Sequence, residues 1–136
     1  IIHSSFAKLL PPVNFTKRDA LYTIYSLIEK GFTLALPSFT FSFCKKKIYS
    51  EDISKSETGI LADWVFEYVE DSIRTKDPIY SFVVVGPKSN QFNNFKNDSC
   101  WGKGSIFEYF EDINAQILML GTGFESVTQF HRYYDF

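Results

Sequence analysis

The last part of the chain places a histidine where it could act on a bound ligand. The segment QILMLGTGFESVTQFH passes from an apolar run through the turn Gly121-Thr122-Gly123 to His131, about two helical turns later. If the apolar run is a strand and the following residues form a helix, the imidazole is directed back over the sheet edge. An imidazole titrates near neutrality and can accept a proton from an attacking amine. The residues alone leave a second interpretation open, an ordinary histidine satisfied by a neighbouring group.

Three further predicted strands also end in turns that are rich in small, hydroxyl-bearing or glycine residues. These turns read HSS at residues 3–5, PSFTFSF at 37–43 and GPKS at 86–89. Such turns present backbone N–H groups and hydroxyls without steric obstruction, which suits an anionic or carbonyl-bearing ligand. Ligands of open α/β sheets bind at the carboxyl ends of the strands. We therefore expect all four turns to meet at one edge of the sheet.

Several common catalytic motifs do not fit the sequence. WGKGS lacks the spacing of a P-loop, and GTGFES places Ser126 where a dinucleotide-binding GxGxxG needs its third glycine. Neither HSSFA nor GTGFES fits the GxSxG elbow of serine hydrolases. Cys44 and Cys100 have no neighbouring histidine in sequence, and His3 and His131 offer too little clustering for a metal site. A dinucleotide site, a covalent nucleophile and a metal centre are all disfavoured.

The segments between these turns alternate between short apolar strands and amphipathic helices. A helix is predicted over residues 16–31, with Thr16 and Asp19 as a capping box and Gly31 as its stop. Further helices are predicted from about 58 to 70, over IFEYFEDI and from VTQFHRYYDF onward. The predicted strands are IIHSSF, FTLALP, YSFVVVGP and AQILMLG. This alternation predicts a layered α/β domain with a mainly parallel sheet.

Composition and charge indicate one globular domain. The 136 residues are 45% hydrophobic and 18% aromatic, and the formal net charge of −2 does not suit a phosphate backbone, so no nucleic acid partner is expected. No apolar run approaches the roughly 18 residues that cross a bilayer, and no signal peptide is recognisable, so no membrane association is expected. Two cysteines outside any CxxC pair indicate reduced thiols and a cytoplasmic protein.

Six segments, in this order, share the pattern of one enzyme family. They are HSSFAKL, LALPSFTFSFC, SKSETGILADWVFE, RTKDPIYSFVVVGP, WGKGSIFEYF and QILMLGTGFESVTQFH. Each segment alone is generic, but together they resemble the successive blocks of the aminoglycoside 3-N-acetyltransferase (antibiotic N-acetyltransferase) family. The resemblance implies a three-layer α/β/α sandwich. It also implies direct acetyl transfer from acetyl-CoA to a small-molecule amine of an amino sugar or aminoglycoside, without a metal.

The resemblance further implies roles for individual residues. His131 matches the histidine taken as the general base, and Thr128 matches the threonine three residues before it. Tyr134 stands where the acidic partner of the histidine is usual, but Asp135 at i+4 is placed to support the imidazole instead. The positions matched or assigned to the acetyl-CoA site are His3, Ser4, Ser5, Ser38, Thr40, Ser81, Phe82, Gly121 and Gly123. Backbone N–H groups around the two glycines, or the Thr128 hydroxyl, would stabilise the oxyanion.

The sequence also departs from the family pattern. Asp77 stands where the family usually has a histidine before proline. Family members carry a helical segment before HSS and continue well past the histidine. We therefore expect residues 1–136 to be a single domain that is a fragment of a longer acetyltransferase domain. A non-catalytic, truncated relative that binds CoA or serves as an assembly module stays open as an alternative, and the many aromatic residues leave room for a homo-oligomer interface.

Overall fold

The computed structural model describes residues 1–9, 14–46 and 48–134, which form five strands and six α-helices. In chain order these are β1 (Ile2–Ser4), α1 (Phe6–Leu9), α2 (Lys17–Glu29), β2 (Leu34–Pro37), α3 (Phe43–Lys46), α4 (Ile60–Tyr68), β3 (Ile73–Arg74), β4 (Phe82–Val85), α5 (Ile106–Asp112), β5 (Leu118–Leu120) and α6 (His131–Tyr134). Short 3₁₀ turns lie at Ser89–Phe92, Phe124–Ser126 and Thr128–Phe130. The described helices are all too short or too polar to cross a membrane. The predicted α/β class is confirmed.

The longest helix, α2, begins and ends as its sequence predicts. The Thr16 side chain accepts a hydrogen bond from the backbone N–H of Asp19 at 3.3 Å, and the Asp19 carboxylate accepts from the Thr16 N–H at 2.8 Å. This reciprocal pair is the predicted capping box, and it satisfies N–H groups that a helix start leaves without partners. Gly31 follows the helix with φ near +87°, a conformation that glycine adopts without strain.

The strands form two sheets rather than one mainly parallel sheet. β1 pairs parallel with β5, from Ile2 opposite Leu118 to Ser4 opposite Leu120. The larger sheet has the order β2-β4-β3, and both of its pairings are antiparallel. The prediction of a mainly parallel sheet is therefore wrong for the larger sheet, and only the β1–β5 pair is parallel among the described residues.

A hairpin connection over residues 75–81, before β4, explains this difference. One carboxylate oxygen of Asp77 accepts hydrogen bonds from the N–H groups of Ile79 at 2.9 Å and Tyr80 at 2.7 Å. Such an Asx turn reverses the chain without a helix, so β4 returns antiparallel to β3. The preceding strand has only two residues, Ile73 and Arg74. A run so short has no recognisable period, which is why the sequence did not reveal it.

The two faces of the antiparallel sheet belong to two different hydrophobic clusters, because side chains alternate along a strand. Leu36 and Val83 pack in a cluster that includes buried residues of α2 and α4, among them Val65. Val84 belongs to the other cluster, together with Phe110 of α5. Within the described residues, helices therefore cover both faces of this sheet.

The antiparallel pairing also moves one of the four predicted turns away from the others. Val85, the last residue of β4, lies opposite Leu34, the first residue of β2. The N–H group of Lys88 accordingly donates to the side-chain hydroxyl of Thr33 at 2.9 Å. Residues 86–89 thus lie at the opposite end of the sheet from the turn after β2. The expectation that all four turns meet at one edge is wrong for this turn.

Candidate active site

A cavity of about 760 Å³ opens beside the carboxyl ends of β1 and β2. Three of the four predicted turns contribute to its lining, together with the N-terminal end of α4. The contributing residues include Ser4 at the end of β1 and Ser5 after it, Pro37 of β2, Thr122 and Ser126 after β5, and Gly59 and Ile60 at α4. A cavity of this volume is in the usual range for a small-molecule site, and its lining is rich in hydroxyl and backbone groups.

The glycine turn after β5 is packed tightly against β1. The N–H group of Ser5 donates to the carbonyl of Leu120 at 2.9 Å. Gly121 has φ near +64°, and a Cβ at this position would lie 2.7 Å from the carbonyl oxygen of Ser5. Only glycine allows this approach. The turn thereby brings Thr122 to the cavity, where its hydroxyl lies 2.6 Å from that of Ser126.

His131 is exposed and lines the same cavity. It is the first residue of α6 and directly follows the 3₁₀ turn Thr128–Phe130. The imidazole lies against the indole of Trp101, with 4.9 Å between ring centroids and 38° between the ring planes. Thr128 also lines the cavity. The structure thus brings the predicted base and the predicted threonine together with Ser4 and Ser5 at one cavity.

His3 lines the cavity as a buried, neutral imidazole. It is only 6% exposed, and burial lowers the pKa of its imidazole to about 4. A neutral imidazole carries one N–H donor and one nitrogen acceptor. His3 can therefore form a hydrogen bond with a ligand near neutral pH without bringing a charge into the cavity. Its assignment to acetyl-CoA stays a prediction.

Three other predicted cofactor residues surround a buried arginine instead of lining the cavity. One terminal nitrogen of Arg74 donates to the hydroxyls of Thr40 at 2.9 Å and Ser81 at 3.3 Å, and to the backbone carbonyl of Ser38. The other terminal nitrogen donates to the carbonyl of Ser54. Arg74 is only 7% exposed and forms no ion pair with any of the described residues. These contacts fix the loop after β2, and a direct role for the three residues at the cofactor stays a prediction.

The remaining predicted site residues have separate surroundings. Phe82 is buried in the core, where its ring packs 5.1 Å from that of Phe110. The N–H group of Gly123 lies 3.3 Å from a carboxylate oxygen of Glu125 and donates to it within the turn. Asp135, the predicted partner of the histidine, lies outside the described residues.

One wall of the cavity is a chain of aromatic rings that the sequence did not reveal. Phe41, Phe39, Tyr80, Trp101 and His131 all line the cavity. Consecutive ring centroids in this order are 5.9, 5.4, 4.3 and 4.9 Å apart. The rings come from three loops and α6, so no spacing in the sequence relates them to one another. The aromatic content of these loops was the only available signal.

Comparison with known proteins agrees with this architecture. Residues 1–133 match the sequence model of a family described as aminoglycoside 3-N-acetyltransferase. No curated protein matches the chain significantly by sequence.

Solved structures of three acetyltransferases resemble the fold. Aminoglycoside acetyltransferase AAC(3)-IIb is 20% identical with a TM-score of 0.77, covering 96% of this chain and 54% of that one. AAC-IIIb, solved as a binary complex with CoASH, is 15% identical with a TM-score of 0.75 and covers 96% and 55%. AAC-VIa, solved with sisomicin bound, is 17% identical with a TM-score of 0.71 and covers 96% and 55%. The chain therefore spans about half the length of these structures.

Proposed function

The chain belongs to the aminoglycoside 3-N-acetyltransferase family, and we propose that it takes part in transferring the acetyl group of acetyl-CoA to an amine of an amino sugar or aminoglycoside. The observation that carries the proposal is the position of His131, an exposed imidazole on a cavity whose lining also includes hydroxyls, backbone groups and aromatic rings. We further infer a three-layer α/β/α sandwich, because helices cover both faces of the β2–β4 pair.

The donor is assigned from family membership and from the lining of the cavity. The related AAC-IIIb was solved with CoASH, which supports a CoA thioester as the acetyl donor. Gly59 and Ile60, at the start of the nine-residue helix α4, line the cavity. Helix N-termini favour anionic groups, and these backbone groups suit the phosphates of CoA. The hydroxyls of Ser4, Ser5 and Thr122 would contact the less charged part of the donor.

In the proposed reaction, His131 acts as the general base. The acceptor nitrogen attacks the thioester carbonyl carbon while the imidazole takes a proton from that nitrogen. The tetrahedral intermediate then collapses, the carbon–sulfur bond breaks, and the CoA thiolate leaves and takes up a proton. The Thr128 hydroxyl and the backbone N–H groups around Thr122 are the proposed donors to the oxyanion. A thioester is already activated, so no step requires a metal.

The acceptor is assigned only as an amine-bearing small molecule of the amino sugar or aminoglycoside class. The related AAC-VIa was solved with sisomicin, which supports this class. The aromatic wall from Phe41 to Trp101 offers apolar faces on which a sugar ring can pack. His131 lies at the end of this wall and would meet the amine from the same side of the cavity.

The test is acetylation of a panel of amino sugars and 2-deoxystreptamine aminoglycosides with acetyl-CoA. Acetylated amine should be detected by mass spectrometry rather than with a thiol reagent, because Cys44 and Cys100 are both exposed and would react. We expect His131→Gln to lower kcat by about 10²-fold or more while the KM for acetyl-CoA changes little. Tyr134→Phe, an exposed position on the same helix, is the matched control and should keep wild-type rates.

Two outcomes would contradict the proposal. Unchanged turnover in His131→Gln would remove the imidazole from the mechanism. Calorimetric binding of acetyl-CoA without transfer to any amine on the panel would instead indicate a binding module.

A further inference from the structure

The residue directly after the proposed base makes an unusual set of contacts. Arg132 donates from Nε to a carboxylate oxygen of Glu111 at 2.6 Å and from one terminal nitrogen to Glu108 at 3.1 Å. Its other terminal nitrogen donates to the backbone carbonyls of Trp101 at 2.8 Å and Gly102 at 3.2 Å. Its side chain is only 18% exposed. One guanidinium thereby joins α6, α5 and the loop of residues 98–104.

A second residue of this cluster, Glu108, also holds the same loop. The carboxylate of Glu108 accepts a hydrogen bond from the N–H group of Gly104 at 2.7 Å. Trp101 is therefore linked to α6 twice, through its carbonyl to Arg132 and through its indole ring to the imidazole of His131. Moving the loop would displace the ring on which the imidazole rests.

Side-chain hydrogen bonds hold the described part of α6, His131–Tyr134, against α5. Two other contacts nearby use neutral donors, from the Gln129 amide to the Phe107 carbonyl at 2.7 Å and from the Tyr133 hydroxyl to Glu111 at 3.0 Å. Among the described residues of α6, Arg132 makes the largest set of charge-assisted bonds, to α5 and to the loop of residues 98–104, and such bonds are the stronger kind.

We propose that Arg132 is a positioning residue, which holds Trp101 against the imidazole of His131 and so fixes the orientation of that imidazole toward the cavity. The proposal rests on the proposed function of His131. Lysine cannot replace the arginine, because a single ammonium lacks the planar set of donors that reaches four acceptors at once. Arg132→Lys therefore keeps the positive charge but loses the planar arrangement of donors that binds the four acceptors.

A spectroscopic test needs no enzymatic activity. Trp64 is the only other tryptophan in the chain, so a Trp64→Phe background leaves Trp101 as the sole indole. A protonated imidazole quenches the fluorescence of an indole stacked against it, so a pH titration of the emission reports the contact. His3 does not interfere near neutral pH, because burial lowers the pKa of its imidazole to about 4. His131→Gln should abolish the quenching step, Arg132→Lys should remove most of it, and the control Arg18→Lys should leave it intact.

The kinetic test separates positioning from folding. A displacement of about 1 Å can cost about 10²-fold in rate, so Arg132→Lys should lower kcat by about tenfold or more while the KM for acetyl-CoA stays within about threefold. Circular dichroism checks the fold of each variant. If Arg132→Lys does not fold, Glu111→Gln takes its place as the test of the positioning role. The Glu111 side chain is 43% exposed, and the new amide keeps a neutral acceptor for the Arg132 Nε, so this variant should fold. We expect a smaller loss of both quenching and kcat in that variant.

The two proposals fail in different ways. If folded Arg132→Lys or its substitute Glu111→Gln keeps the full quenching step, the positioning role is refuted. Where His131→Gln loses activity, wild-type kcat in folded Arg132→Lys or its substitute refutes the positioning role equally. If His131→Gln keeps its activity while Arg132→Lys loses the quenching step, the imidazole is positioned as proposed but is not the base.

Discussion

The buried imidazole of His3 should make the protein less stable in mild acid. His3 is 6% exposed, and burial lowers its pKa to about 4 from the usual value of about 6.5 in an unfolded chain. The unfolded state therefore binds a proton more readily than the folded state as the pH falls. This penalty is absent above about pH 6.5, grows as the pH falls toward 4, and is complete below the folded pKa.

The size of the effect follows from the difference between the two pKa values. At about 1.36 kcal/mol per pKa unit, lowering the pKa from about 6.5 to about 4 corresponds to a loss of about 3 kcal/mol in the free energy of unfolding. Carboxylates that lose their charge in the same range also contribute. The difference between the wild type and His3→Gln isolates the imidazole, because both proteins carry the same carboxylates.

The assay is urea unfolding at a series of pH values between about 7.5 and 4. We expect the free energy of unfolding of the wild type to fall by about 3 kcal/mol more than that of His3→Gln over this range. Arg18→Gln, which removes an exposed cation from α2, controls for general electrostatics and should follow the wild type. Parallel curves for the wild type and His3→Gln would refute a buried neutral imidazole at this position.

Two further substitutions test how the elements around the cavity are held. Gly121→Ala should lower the free energy of unfolding by about 1–3 kcal/mol, because the new Cβ would lie 2.7 Å from the Ser5 carbonyl oxygen at a positive φ. The comparison is Gly31→Ala, where the Cβ meets nothing within 4 Å. Equal losses in the two variants would contradict the close contact at Gly121. Arg74→Met should lower the free energy of unfolding by about 2–3 kcal/mol, because the carbonyls of Ser38 and Ser54 lose a buried donor. A urea midpoint equal to that of the wild type would contradict this, because it would show that water replaces the guanidinium.

Local sequence signals predicted the parts of the fold that depend on neighbouring residues. The capping box of Thr16 and Asp19, the stop at Gly31 and the apolar strand Phe82–Val85 all lie within a few residues of their causes. The strand β3 has only two residues, too few for a recognisable pattern. Because β3 was not predicted, β4 was predicted to run parallel to its neighbours, whereas it is antiparallel to them. Strand direction depends on the connection before the strand, so one unrecognised hairpin reversed a whole pairing.

In the candidate site, too, residues in local patterns were predicted and residues joined by long-range contacts were not. The position of His131 after a glycine turn is a local pattern, and the structure places that histidine at the cavity. Trp101 and Arg132 gave no such signal, because their contacts reach across about 30 residues of sequence, from α6 to the loop before α5. Ser38, Thr40 and Ser81 were assigned from the family pattern, and the structure shows that they surround Arg74, a buried cation that the sequence did not single out.

Asp77, which departs from the family pattern, forms a turn that leads into the aromatic wall of the cavity. A histidine before the proline is usual in the family that the sequence resembles, whereas the carboxylate here accepts two backbone N–H groups through one oxygen and forms the turn before β4. The second of these N–H groups belongs to Tyr80, whose ring lies 4.3 Å from that of Trp101 in the aromatic wall. The turn therefore fixes the backbone of a cavity residue as well as the direction of a strand. Since Trp101 also lies against the imidazole of His131, two ring contacts connect the turn at position 77 with the proposed base.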